Sequence, residues 1–124
     1  MYLSKDDLTA RLQRAEMDFA AEELGGTVRL RELSVQQRGD ISRSATTIQD
    51  DGTKLVNMDI WYAGLVREGV VDPETHRPLY SAAEVDVLLH ANPKLLALIA
   101  QAIYDLSEVG PAHLKSGDST PDAG

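Results

Sequence analysis

Chemistry in this chain of 124 residues has few places to start, because it contains no cysteine. Thiol nucleophiles, zinc–thiolate sites and disulfides are therefore excluded. The three histidines, His76, His90 and His113, are scattered, with no H-E-x-x-H or H-x-H spacing to gather a metal ion. They read as solvated side chains. Asp50-Asp51-Gly52 lacks the further oxygen ligands of a calcium loop and reads as a turn. Gly25-Gly26 has neither the lysine of a phosphate-binding loop nor the third glycine of a dinucleotide fingerprint. Ser42 and Ser44 sit in no G-x-S-x-G elbow. Asp59 falls near the apolar arc of a helix, where a buried carboxylate would have a raised pKa and could move protons. Its plainer role is a paired group at a helix margin. A hydrolase built on Asp50, Asp51 or Asp59 would lack a base–nucleophile pair or a metal set. No catalytic, cofactor-binding or metal residue is assigned, and the expectation is a protein that is not an enzyme.

The chemistry that remains is apolar recognition. Leu95, Leu96, Leu98, Ile99, Ala102, Ile103 and Leu106 cover a wide arc of one helix, with Lys94, Gln101, Asp105 and Glu108 opposite. The plain reading is a stripe that packs the core. The sharper one leaves part of it, around Val85, Leu88, Leu96 and Ile99, for a partner helix. Trp61 and Tyr62 divide in the same way between core and interface, aromatics being enriched at binding hot spots. The candidate partner-binding residues are thus Val85, Leu88, Leu96, Ile99 and Trp61.

The elements that must position these residues follow from local signals. Ser4 and Asp7 can cap a short helix from Lys5 to about Gln13. EMDFAAEEL, then Gly25-Gly26, then TVRLREL predicts an N-terminal β-hairpin, with the glycine pair supplying the positive φ of its turn. Met17 and Phe19 then share one face of the first strand, and Val28 and Leu30 one face of the second. Ser34 and Gln37 form a capping box for a polar helix from Val35 to about Thr47. Gly39 inside it costs about 1 kcal/mol relative to alanine. Gln49 to Gly52 reads as a loop. Leu55, Met58, Tyr62, Leu65 and Val66 lie on one arc, which predicts a helix from Leu55 to Glu68. Val70-Val71 and Leu79-Tyr80 bracket a polar, proline-containing segment that predicts a small second hairpin or turn. Ser81 and Glu84 form another capping box, opening a short helix that ends near His90. Asn92-Pro93 starts the last helix, and Gly110-Pro111 stops it.

The expected fold class is therefore α+β, mainly helical, with four to five helices. Residues 1–110 form a single domain and residues 111–124, rich in Pro, Gly, Ser and Asp, a flexible tail. At 43% hydrophobic residues with six aromatics, the core must be aliphatic. Net charge is −8, which disfavours nucleic acid as a partner. No apolar run approaches the ~20 residues that span a bilayer. The opening MYLSKDDLTARL lacks a signal peptide's apolar stretch, so the expected compartment is the cytoplasm.

The order of these elements, with GGTVRLREL followed by Ser34 and a polar helix, and with VVD…RPLYSAAEV followed by NPKLLALIAQAIYDLS, resembles the tail assembly chaperones of long-tailed bacteriophages and prophages. The resemblance covers about residues 1–110. The chain departs from the family's pattern at Pro73, where an Asp-Gly turn is common, and in its hydrophilic middle helix. The resemblance implies a non-enzymatic protein of the host bacterial cytoplasm, absent from the finished virion. Its partners would be the tape measure protein, which it keeps soluble, and the major tail tube protein, which it helps recruit, with self-association as a further mode. The alternative within the same biology is a minor structural or head–tail completion protein retained in the virion.

Overall fold

The structure is a computed structural model that describes residues 1–108. The proposed tail at residues 111–124 and the Gly110-Pro111 helix stop lie outside the described residues.

Local capping chemistry sets most helix starts. In α1, Lys5–Arg11, the Ser4 hydroxyl accepts the Asp7 N–H at 3.1 Å, and the Asp7 carboxylate accepts the Ser4 N–H at 3.3 Å. The same reciprocal pattern, Ser34 with Gln37, opens α2, Val35–Ala45. The Ser81–Glu84 pair opens a single 3₁₀ turn that runs into α4, Val85–Leu89. Asn92 caps α5, Pro93–Glu108, by accepting the N–H groups of Lys94 and Leu95.

The N-terminal hairpin pairs β1, Glu16–Ala21, with β2, Gly26–Arg31. Its register puts Met17 opposite Leu30 and Phe19 opposite Val28, so the apolar face is the expected one. The opposite face carries Glu16, Asp18, Arg29 and Arg31 as cross-strand charges. The turn differs from expectation. The first strand ends at Ala21, Glu22–Leu24 make a 3₁₀ turn, and only Gly25 adopts a positive φ, 69°. Gly26 is already paired with Ala21. Leu24, half-buried, borders the same depression as Val28, and the 3₁₀ turn that carries it ends the first strand before the glycine pair.

A second correction concerns residues 46–56. Helix α2 ends at Ala45, and Thr46–Ile48 and Lys54–Val56 form an antiparallel ribbon, β3 and β4. Gly52, at φ 89°, closes it. Asp51 stiffens the turn by accepting both the N–H and the hydroxyl of Thr53, at 2.9 and 2.6 Å. Leu55 therefore belongs to a strand. Helix α3 is Met58–Gly69, capped by Asn57, whose side-chain oxygen accepts the Asp59 and Ile60 N–H groups. Asp59 is exposed in the first turn of α3, where a carboxylate suits the helix dipole, and not on its buried side.

Val70–Val71, β5, follows α3 directly and pairs with β2, giving a three-stranded antiparallel sheet in the order β1-β2-β5. The chain then folds back as predicted. Val71 bridges Pro78, Asp72 N–H donates to the Arg77 carbonyl at 2.8 Å, and Leu79 N–H donates to the Val70 carbonyl at 3.0 Å. Among the described residues the fold is the expected α+β arrangement, five α-helices with an N-terminal hairpin.

The core lies between this sheet and the packed helices α2, α3 and α5. Its fully buried large side chains are Leu30, Leu65, Val71, Ile103 and Leu106, all aliphatic. Helices α3 and α5 approach closely because Ala63, Ala100 and Ala102 are small and because Gly69 has no side chain. A Cβ at Gly69 would stand 2.6 Å from Cγ2 of Ile103. At Gly64 it would stand 3.1 Å from Ile41 of α2.

Candidate partner-binding site

The small residues that bring α3 and α5 together at one level leave their larger neighbours apart at another. Between the two helices, beside α2 and the end of β4, lies an open groove of about 500 Å³. Val56, Met58, Trp61, Tyr62 and Leu65 line one wall, and Ala100, Gln101 and Tyr104 the other. Met58 and Tyr104 are more than two-fifths exposed, so the lining faces solvent. Trp61, Leu65 and Tyr104 also line a smaller, more enclosed dip with Leu33, Arg38 and Glu108.

Polar contacts fix that dip. Arg38 of α2 pairs with Glu108 of α5. The Ser107 hydroxyl donates to the Ile103 carbonyl at 2.9 Å and accepts the Leu33 N–H at 3.0 Å, tying the β2–α2 connection to α5. Gln37 accepts from Arg14 at 2.9 Å and donates to Glu68 at 2.9 Å, joining the segment before β1 to α2 and α3. Burial and the nearby Arg31 lower the Arg14 pKa from its usual value, against the raising effect of Glu32, Glu16 and Glu68.

The five candidate residues do not share one site. Trp61, half-buried, lines the groove just described. Leu88 and Leu96 are buried members of the core, while Ile99 is half-buried beside them. Those three line a smaller depression of about 230 Å³ on the other side of α5, with Val28, Val70 and Tyr80. Val85 is half-buried at a third depression, between α2, α3 and the turn before α4, with Ile41, Gly64 and Arg67. Reading along the chain missed Val56, Met58 and Tyr104 as groove residues. The available signal was an aromatic, Tyr104, among the polar positions Gln101, Asp105 and Glu108 of α5.

A second constellation gathers on the charged face of the sheet. His76 adopts φ 62°, a left-handed conformation uncommon for a side chain with a Cβ. It places Nδ1 2.9 Å from both carboxylate oxygens of Glu16. Glu16 also lies 3.2 Å from Arg29 and 3.6 Å from Arg31, and Arg29 lies 2.6 Å from Asp18. Burial works to raise the Glu16 pKa, but hydrogen bonds from His76 and Arg29 and the charges of His76 and Arg31 outweigh it. The carboxyl is held below its usual range. His76 is thus a partner of the sheet and not a free solvated side chain. Opposite charges nearly cancel here, so the cluster works as a clasp between β1, β2 and the 72–78 turn.

Among the described residues, no three or more His, Asp or Glu side chains are grouped to hold a metal ion. No helix of these residues is long and apolar enough to cross a membrane. Compared with known proteins, the chain matches no family model, no curated protein and no solved structure. The functional reading therefore rests on the geometry and on the resemblance in element order.

Proposed function

We propose that this protein is a tail assembly chaperone of a long-tailed phage or prophage, which holds an apolar helix of the tape measure protein in the groove between α3 and α5. The observation that carries the reading is the groove itself, aromatic-lined and open along its length, with Trp61 on one wall and Tyr104 on the other. A long helical protein awaiting assembly exposes apolar stripes that aggregate. An amphipathic helix lays such a stripe into a groove of this kind through side chains spaced three and four residues apart. The net charge of −8 keeps the complex dispersed. The modest groove suits a reversible contact, released when tail tube subunits are recruited. In this reading the protein acts in the host cytoplasm and leaves before the virion is complete.

Co-expression with a tape measure protein of a long-tailed phage tests the proposal. The tape measure protein is expected to become soluble and to co-elute with this chain on size-exclusion chromatography. Tyr104→Glu, which puts a charge into the groove, is expected to abolish both effects while leaving the circular dichroism unchanged. Unchanged tape measure solubility with the wild-type chain overturns the reading. Mass spectrometry of purified particles separates it from the alternative of a minor structural or head–tail completion protein: stoichiometric presence in virions favours the alternative.

A further inference from the structure

The sequence holds one Asp-Gly pair, Asp51-Gly52, and the fold sets it at the turn of the β3–β4 ribbon. Such a link is open to attack from within the chain, because glycine has no side chain to hinder its backbone nitrogen. In that reaction the Gly52 nitrogen attacks Cγ of Asp51. A nitrogen–Cγ bond forms, and the amide proton and the carboxyl hydroxyl leave together as water, closing a five-membered succinimide. Water then reopens the ring. When it cleaves the bond between the nitrogen and the main-chain carbonyl, the chain runs on through the former side chain. The product is an isoaspartyl link, with one more carbon atom in the backbone and the same mass as before. The reaction consumes no oxidant, metal or partner molecule.

The turn holds back both reacting groups. Oδ1 of Asp51 accepts the Thr53 N–H at 2.9 Å and the Thr53 hydroxyl at 2.6 Å, so the carboxyl is tied to the residue beyond Gly52. The Gly52 N–H donates to the Gln49 carbonyl at 2.9 Å, so the attacking nitrogen is engaged as well. The hydroxyl and N–H of Thr53 also hold the Asp51 carboxyl below its usual range, and the ionised carboxylate is the poorer electrophile. We propose that Asp51-Gly52 is a latent self-modification site, and that the hydrogen bonds from Thr53 to Asp51 are the lock that keeps it unreacted in the folded chain. Thr53 is a positioning residue, acting through the place and charge state in which it holds the carboxyl. Release of the lock alters more than the turn. The extra backbone carbon enters the ribbon whose second strand brings Val56 to the α3–α5 groove and leads into Asn57, which donates its N–H to the Ala45 carbonyl at 2.7 Å. The inference does not rest on the chaperone reading.

The test ages the full chain at neutral pH and physiological temperature, folded in buffer and unfolded in guanidinium chloride, and follows the tryptic peptide of residues 44–54 by liquid chromatography and mass spectrometry. The isoaspartyl form separates from its parent by retention at unchanged mass, and fragmentation distinguishes Asp51 from Asp50. Asp51→Glu, which cannot close the five-membered ring, serves as the blank. The folded wild type is expected to isomerise several-fold more slowly than the unfolded chain. Thr53→Val, which removes the hydroxyl and keeps the N–H, is expected to isomerise several-fold faster than the wild type while its circular dichroism stays the same. Thr53→Ser, which restores the hydroxyl, is expected to return to the wild-type rate. A folded wild type that reacts as fast as the unfolded chain overturns the inference, and this comparison needs no variant to fold. A Thr53→Val protein as slow as the wild type overturns it, as does a Thr53→Ser protein as fast as Thr53→Val.

Discussion

Replacing Gly69 with alanine puts a close contact between α3 and α5 under a defined strain. The new Cβ would meet Ile103 at 2.6 Å from Cγ2, 2.8 Å from Cδ1 and 3.0 Å from Cγ1. Ordinary carbon–carbon contact is at ~3.5–4.0 Å, so three atoms must move by the better part of an ångström. Cδ1 could swing aside, but Cγ2 is fixed by χ1, and a β-branched side chain in a helix has one strongly preferred rotamer. Ile103 is fully buried, with Leu30, Leu65 and Leu106 in the same core cluster, so neither it nor α5 can retreat freely. Overpacking of this kind costs ~1–3 kcal/mol. Alanine regains up to ~1 kcal/mol over glycine through helix propensity, less at the final residue of α3. The net expectation is a loss of about 1–2 kcal/mol, a fall in Tm of several degrees for a domain of this size. Urea denaturation followed by far-UV circular dichroism and by Trp61 fluorescence reads it. The decisive arm is Ile103→Ala. Alone it costs ~2–5 kcal/mol through the cavity it leaves. Combined with Gly69→Ala it should cost less than the two single losses together, because the added methyl fills part of that cavity. Strictly additive losses, or a Gly69→Ala protein as stable as the wild type, would refute the close-packing argument.

Acidification is expected to open the clasp on the sheet. The Glu16 pKa is depressed in the fold, so its contribution is present above the unfolded carboxyl pKa and is lost as pH falls through the folded value; Glu16→Gln should flatten the acid limb of a stability–pH curve and leave Trp61 fluorescence at neutral pH unchanged. Ser107→Ala strips the Leu33 N–H of its acceptor and should cost about 1–2 kcal/mol in urea denaturation. Ser34→Ala removes the cap of α2 and should cost about 1 kcal/mol, with slower amide exchange in the wild type confined to the first turn of that helix. Leu30→Ala, at a fully buried position of the central strand, should cost ~2–5 kcal/mol, the largest of these losses.

What was legible in the sequence was local. Ser4 with Asp7, Ser34 with Gln37, Ser81 with Glu84 and Asn92 before Pro93 are short-range hydrogen-bonding patterns, and each opens the helical turn it announced. Alternation in EMDF and TVRLR fixed the face of the hairpin, since a slip of one residue would have put Arg29 and Arg31 into the core. Leu55 misled because it fits the 3.6-residue arc of Met58, Tyr62 and Leu65 while pairing with Thr47 across a ribbon. Asn57, a strong N-cap residue, was the signal that the helix starts later. The pairing of Val70-Val71 with β2 joins residues some forty positions apart, and no local pattern encodes it. The groove was hidden for the same reason. Its lining comes from α2, β4, α3 and α5, and whether a half-apolar position such as Met58 or Tyr104 is covered depends on where the other elements end up. Of the apolar candidates, Leu88 and Leu96 are the ones the core absorbs.

Helix α3 ends at Gly69 and β5 begins at Val70, with no residue between them. A helix spliced straight into a sheet has no joint at which to pivot. The wall that carries Trp61 is thus braced like a beam set in masonry, and whatever enters the cleft must conform to its contour, since that wall cannot close upon a guest.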